Sequence, residues 1–178
     1  MGKAVAVVVM GVSGCGKSGL GAALANAQGW PFLEGDSLHS PANIARMQAG
    51  QPLTDADRAP WLAAIETWMS DRLRGGYSVV VACSALRRSY RDGLRRAGAV
   101  RFVYLQVPRD ELDRRMRARE HFMPPSLLDS QLATLEEPGA DEDALRVTEE
   151  HGVEGSLAAI VDWACRPSAA AEASVEGR

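Results

Sequence analysis

The chain of 178 residues has only three cysteines, Cys15, Cys83 and Cys165, and no two of them form a C-x-x-C pair. That excludes a disulfide framework and a cysteine-based zinc site, and it points to a reducing compartment. No apolar run approaches the length of a membrane span. A cleaved signal peptide is also unsupported, because a cut after the first apolar run (residues 4–10) would destroy the motif that follows it. The sequence therefore reads as that of a soluble cytoplasmic protein. Neither sign of charge dominates. A net charge of −3 gives no global attraction to nucleic acid or to an anionic membrane. A guanine-reading motif of the N-K-x-D type is absent, which counts against a nucleotide-dependent switch.

What is present begins at residue 11. GVSGCGKS (11–18) fits the template G-x-x-x-x-G-K-[ST] through Gly11, Gly16, Lys17 and Ser18. Such a loop, here also carrying Ser13, Gly14 and Cys15, turns its backbone N–H groups inward around phosphate oxygens. Lys17 reaches the outer phosphates, and the Ser18 hydroxyl sits on Mg²⁺. AVAVVVM (4–10) before it reads as a buried parallel strand, and SGLGAALANA (18–27) after it as a helix whose positive end adds to the site. Four more strands are expected, in 30–36, 77–84, 100–107 and 144–148, with helices between them. Thr54 and Asp57 form a capping-box pattern at the head of a helix whose apolar face carries Trp61, Ile65 and Met69. This alternation predicts an α/β fold with a parallel sheet covered on both faces. A single domain is expected over 1–166, and PSAAAEASVEGR (167–178) reads as a disordered tail.

In an open parallel sheet, ligands gather at the carboxyl ends of the strands. After the second strand stand Asp36 and His39. Asp36 could take a proton from an acceptor hydroxyl or hold Mg²⁺ through water, and Gly-Asp could equally be a plain turn. His39 could be an exposed loop residue. After the third strand come Arg87 and Arg91, four apart and so on one helix face. They suit a carboxylate or a phosphate, or simply a solvated basic face. That strand lacks the terminal Asp of a typical Walker B motif. Arg114, Arg115, Arg117 and Arg119 precede a break at Pro124-Pro125, as a basic flap over a triphosphate would. Arg119, with Arg115 second, is the candidate for stabilising the transferred phosphoryl.

The segments MGVSGCGKS, FLEGDSLHSPANIARMQAGQPLTDADRAPWL, CSALRRSYRDGLR, FVYLQV and HFMPPSLLDSQLATLEEP together resemble the gluconokinase family, from about residue 5 to 165. The resemblance implies a P-loop kinase fold: a five-stranded parallel sheet of order 2-3-1-4-5 with a mobile lid at about 115–135. It implies ATP and Mg²⁺ on the 11–18 loop, and D-gluconate between segments 36–61 and 83–91. Asp36 would activate the 6-hydroxyl, giving 6-phosphogluconate and ADP. His39, Arg58, Arg87, Arg91 and His121 become candidate contacts to the sugar acid, and relatives of this type are often homodimers. One departure stands out: Glu120 precedes His121 where the family usually has glycine. The alternatives are another small-molecule kinase, such as a shikimate kinase, and a nucleotide-dependent switch or hydrolase.

Overall fold

The computed structural model describes residues 4–118, 124, 126–148 and 152–166. Arg119, Glu120 and His121, with the expected tail at 167–178, lie outside these residues. Five parallel strands form one sheet: β1 (Ala6–Met10), β2 (Phe32–Glu34), β3 (Val79–Ala82), β4 (Val100–Leu105) and β5 (Ala144–Val147), in the spatial order 2-3-1-4-5. β1 lies between β3 and β4, with Val8 opposite both Val81 and Phe102. It is fully buried along its length. Burying each such valine stabilises the fold by about 1.5–3 kcal/mol relative to exposure, so β1 carries no polar side chain.

Seven helices stand among the described residues: α1 (Lys17–Gln28), α2 (Pro41–Gln48), α3 (Asp55–Arg74), α4 (Arg88–Arg95), α5 (Arg109–Ala118), α6 (Leu127–Thr134) and α7 (Gly152–Cys165). Strand residues alternate between the two faces. Val8, Met10 and Val81 pack against α3 and α4 through Trp61, Ile65, Met69 and Leu94. Val7, Val9 and Val80 pack against α1, α5, α6 and α7 through Leu24, Leu112, Leu128 and Ile160. The Thr54–Asp57 capping box at the head of α3 is formed in both directions. A short 3₁₀ turn, Gly35–Leu38, carries the chain from β2 toward α2. The sequence reading placed no helix at α2. Its signal was there, since Ser40 caps the Asn43 N–H and Pro41 occupies the first turn. No helix among the described residues is long and apolar enough to cross a membrane.

Candidate active site

The loop between β1 and α1 folds as a cradle. Gly14 and Gly16 take φ of 82° and 99°, in the left-handed region that side chains disfavour, and this turns the loop back on itself. The Gly11 N–H donates to the Ser84 carbonyl (3.3 Å), tying the start of the loop to the end of β3. Ser13, Gly14, Gly16, Lys17, Ser18 and Asp36 line a cleft over the loop, with Met116 of α5 opposite. Lys17 Nζ donates to the Val12 carbonyl (3.0 Å), so its ammonium lies over the loop. Backbone donors, an ammonium and a helix N-terminus in one cleft suit a polyphosphate. Arg115 reaches the same loop, 3.5 Å from the carbonyls of Gly14 and Cys15, while its Nε holds Glu111 at 2.6 Å. Hydrogen bonds from Arg114 and Arg115 bring the Glu111 carboxyl down to about 2.

Asp36 is shared between this cleft and a second, narrower pocket. The reason is steric. At Gly35 a β-carbon would press into the Ala82 carbonyl oxygen, so only glycine lets β2 end this close to β3. The Trp61 indole, from α3, donates to the Gly35 carbonyl at 2.8 Å and fixes the turn from below. The next residue is Asp36, which therefore projects beside Lys17. His39 stacks on Trp61 with ring centroids 4.2 Å apart and lies 4.0 Å from the Asp36 carboxylate. Burial pulls the His39 pKa down; Asp36 opposes this and Arg58 adds to it. The His39 Nδ1 is buried without a hydrogen-bond partner among the described residues. His39 is thus a wall of the pocket, where the sequence alone left it open as a surface loop residue.

The predicted arginines separate. Arg58 lines the second pocket with Asp36, His39 and Trp61. Arg87 stands just before α4, pairs with Asp55 at 3.0 Å and does not line the pocket. Arg91 does not line the pocket either. Its side chain is fully buried and its Nε and Nη2 donate to the Glu142 carboxylate at 2.6 and 2.7 Å. Nη1 donates to the Ala85 carbonyl at 3.0 Å. The i,i+4 spacing of Arg87 and Arg91 implied a common outward face. Burial of Glu142, 51 positions further on, turns Arg91 inward instead.

Other residues of the site were given no role by the sequence. Gln131 of α6 accepts from the Ser13 N–H at 2.7 Å and donates to its hydroxyl at 3.1 Å. α6 thereby spans the phosphate loop and the second pocket, which Leu127 and Ser130 also line. On the far side of the loop is a cavity of about 410 Å³ bounded by Leu20, Leu105, Val107 and Val147, with Gln106 and Thr148 at its edge. Its mostly apolar walls suit a planar base beyond the phosphates. No local motif marks it, because its walls come from the ends of β4 and β5, the phosphate loop and three helices. Cys83 is buried behind the site and its thiol is pushed up to about 12, which rules it out as a nucleophile. Among the described residues, no three His, Cys, Asp or Glu side chains form a metal-holding group.

A phosphate cradle joined through one carboxylate to a small polar pocket, on a 2-3-1-4-5 parallel sheet, defines a P-loop kinase acting on a small molecule. The AAA domain family matches residues 7–138. The gluconokinase of Gluconobacter oxydans (strain 621H) is 53% identical over 146 residues, covering 81% of this chain and 82% of the relative. The thermoresistant gluconokinase of Escherichia coli (strain K12) is 40% identical, covering 87% and 90%. The crystal structure of a gluconokinase from Sinorhizobium meliloti 1021 superposes with a TM-score of 0.76 at 47% identity, covering 98% of this chain and 95% of that one. The chain belongs to the gluconokinase family.

Proposed function

We propose that the chain transfers the terminal phosphoryl of ATP to the 6-hydroxyl of D-gluconate, giving 6-phosphogluconate and ADP. The observation that carries this reading is the placement of Asp36 on the wall common to the phosphate cleft and the narrower pocket. An acceptor hydroxyl in that pocket meets a carboxylate able to orient it and take its proton, beside the ammonium of Lys17. Gly14, Cys15, Gly16, Lys17 and Ser18 would hold the phosphates, and the Ser18 hydroxyl would hold Mg²⁺, which supplies charge neutralisation on the phosphate oxygens. No acidic cluster stands among the described residues, so the remaining Mg²⁺ ligands would be the nucleotide, water and Asp36 through water.

Arg58 supplies the counter-charge that a sugar acid needs, and the orphaned His39 Nδ1 supplies a hydrogen-bonding site for one of its hydroxyls. Arg115, close to the loop carbonyls, is the described arginine best placed to follow charge on the phosphates. Two buried free thiols, Cys15 and Cys83, suit a reducing cytoplasm. The test is ADP release from ATP and Mg²⁺ with D-gluconate, shikimate, glucose or no acceptor. Turnover confined to gluconate is expected. Equal turnover in all four would make water the acceptor and overturn the reading.

A further inference from the structure

Arg58 does not stand alone in the acceptor pocket. Its Nη1 donates to the Tyr90 hydroxyl at 3.4 Å and lies 3.9 Å from Asp55 Oδ1. The Tyr90 hydroxyl donates in turn to the same Asp55 oxygen. Arg87 holds the other Asp55 oxygen at 3.0 Å. The guanidinium carbon of Arg58 also sits 5.8 Å from the centre of the Tyr90 ring. Four side chains from α3, the head of α4 and the residue before it are thus joined, and Arg58 alone of the four lines the pocket.

From this geometry we infer that Tyr90 and Asp55 are positioning residues that hold Arg58 as the receptor for the acceptor's carboxylate, and so select a monoanionic sugar acid over a neutral polyol. The inference rests on the kinase reading above. Three arguments support it. Tyr90 is only 7% exposed, and burial, followed by its bond to Asp55, raises its pKa; the phenol stays protonated and keeps its donor. With Tyr90 donating to Asp55, its oxygen is left to accept from Arg58, which fixes the direction of both bonds. Finally, two guanidinium groups face one carboxylate. Of the two, Arg58, with a side chain 15% exposed, is the partner that meets the pocket. A free arginine would lose rotamer freedom on capturing an anion; one already held loses less. Asp55 is itself 60% exposed, so its ion pairs contribute little to folding and act mainly on the direction of Arg58.

The experiment is a double-mutant cycle on the full chain, with gluconate KM and calorimetric Kd as readouts. Tyr90→Phe keeps the ring and removes the hydroxyl. It is expected to raise both values for gluconate by about tenfold, with kcat and the KM for ATP within about twofold of wild type. In an Arg58→Lys background the same substitution should change them by less than about twofold, because it acts through Arg58. D-glucitol, which keeps the hydroxyls and lacks the charge, should compete with gluconate at least about tenfold more weakly than gluconate binds in wild type. An unchanged gluconate KM in Tyr90→Phe, an equal rise in both backgrounds, or a D-glucitol inhibition constant matching the gluconate KM would each overturn the inference. Absence of gluconate turnover in wild type would bring down the kinase reading first and this one with it, and it is seen before any variant is made.

Discussion

Replacing Gly35 with alanine tests whether backbone packing places the reactive carboxylate. The added carbon would meet the Ala82 carbonyl oxygen deep inside contact distance, and Ile65 Cδ1 at 3.3 Å blocks the other way out. An ordinary carbon–oxygen contact needs about 3.3–3.6 Å, so the end of β2 must back away from β3 by about 1 Å. Overpacking of this kind costs about 1–3 kcal/mol. For a chain of this size that lowers the melting temperature by about 2–12 °C. The larger effect should be on rate, since Asp36 follows directly and moves with the turn. A misplacement of about 1 Å costs about a hundredfold in kcat. Nucleotide affinity should hold, because the loop and α1 hang from β1, on the other side of β3. The assays are a thermal melt, coupled ADP release with gluconate, and titration with a fluorescent ADP analogue. A Gly35→Ala protein with wild-type melting temperature and kcat within about twofold of wild type would refute the reasoning.

Two further outcomes follow from other parts of the site. Asp36→Asn keeps the shape and removes the base, so kcat should fall by about a hundredfold or more while the KM for ATP stays within about threefold; a near-normal kcat in a folded protein would end its role as base. Glu142→Gln breaks a buried ion pair and leaves Arg91 uncompensated, which should cost about 3–5 kcal/mol of unfolding free energy in a denaturant titration. The pH dependence has a definite sign: the hydrogen bond from Arg91 holds the Glu142 carboxyl at about 2 against an ordinary 4.5. Its contribution is therefore complete above 4.5 and is lost as pH falls from there toward about 2. Acid denaturation in the variant should be correspondingly shallower over that range.

The features legible in the sequence are those whose physics is local. GVSGCGKS lies between an apolar run and a helical one, so strand, loop and helix could be read as a unit. Thr54 and Asp57 are three apart and cap their own helix as expected. Asp36 was singled out by its place at a strand end. What set its position, the carbonyl of Ala82 on another strand, has no trace near residue 36. Trp61 was read as core, and it is core, but its indole N–H also serves Gly35. That Arg91 turns inward was not legible, because helical spacing states which residues share a face and not which face is buried. Tyr90 and Asp55 stand 35 positions apart and meet only when α3 and α4 pack. Arg119 and His121 lie outside the described residues, so their parts in the reaction remain proposals from the sequence.

The close passage of Gly35 against Ala82 also bears on how such an enzyme could be retargeted. In the proposed reaction the reacting end of the acceptor would meet a carboxylate held by the backbone of two neighbouring strands and one indole. The opposite end would meet side chains on α3 and α6, with Tyr90 of α4 acting through Arg58, and these are replaceable without disturbing the sheet. Libraries varied at Arg58, Tyr90, Leu127 and Ser130 should therefore change which acid is taken up while leaving phosphoryl transfer intact. Variation at 35 has no such freedom. Chemistry and choice of acceptor are anchored in different layers of the molecule, so one can be altered while the other is kept.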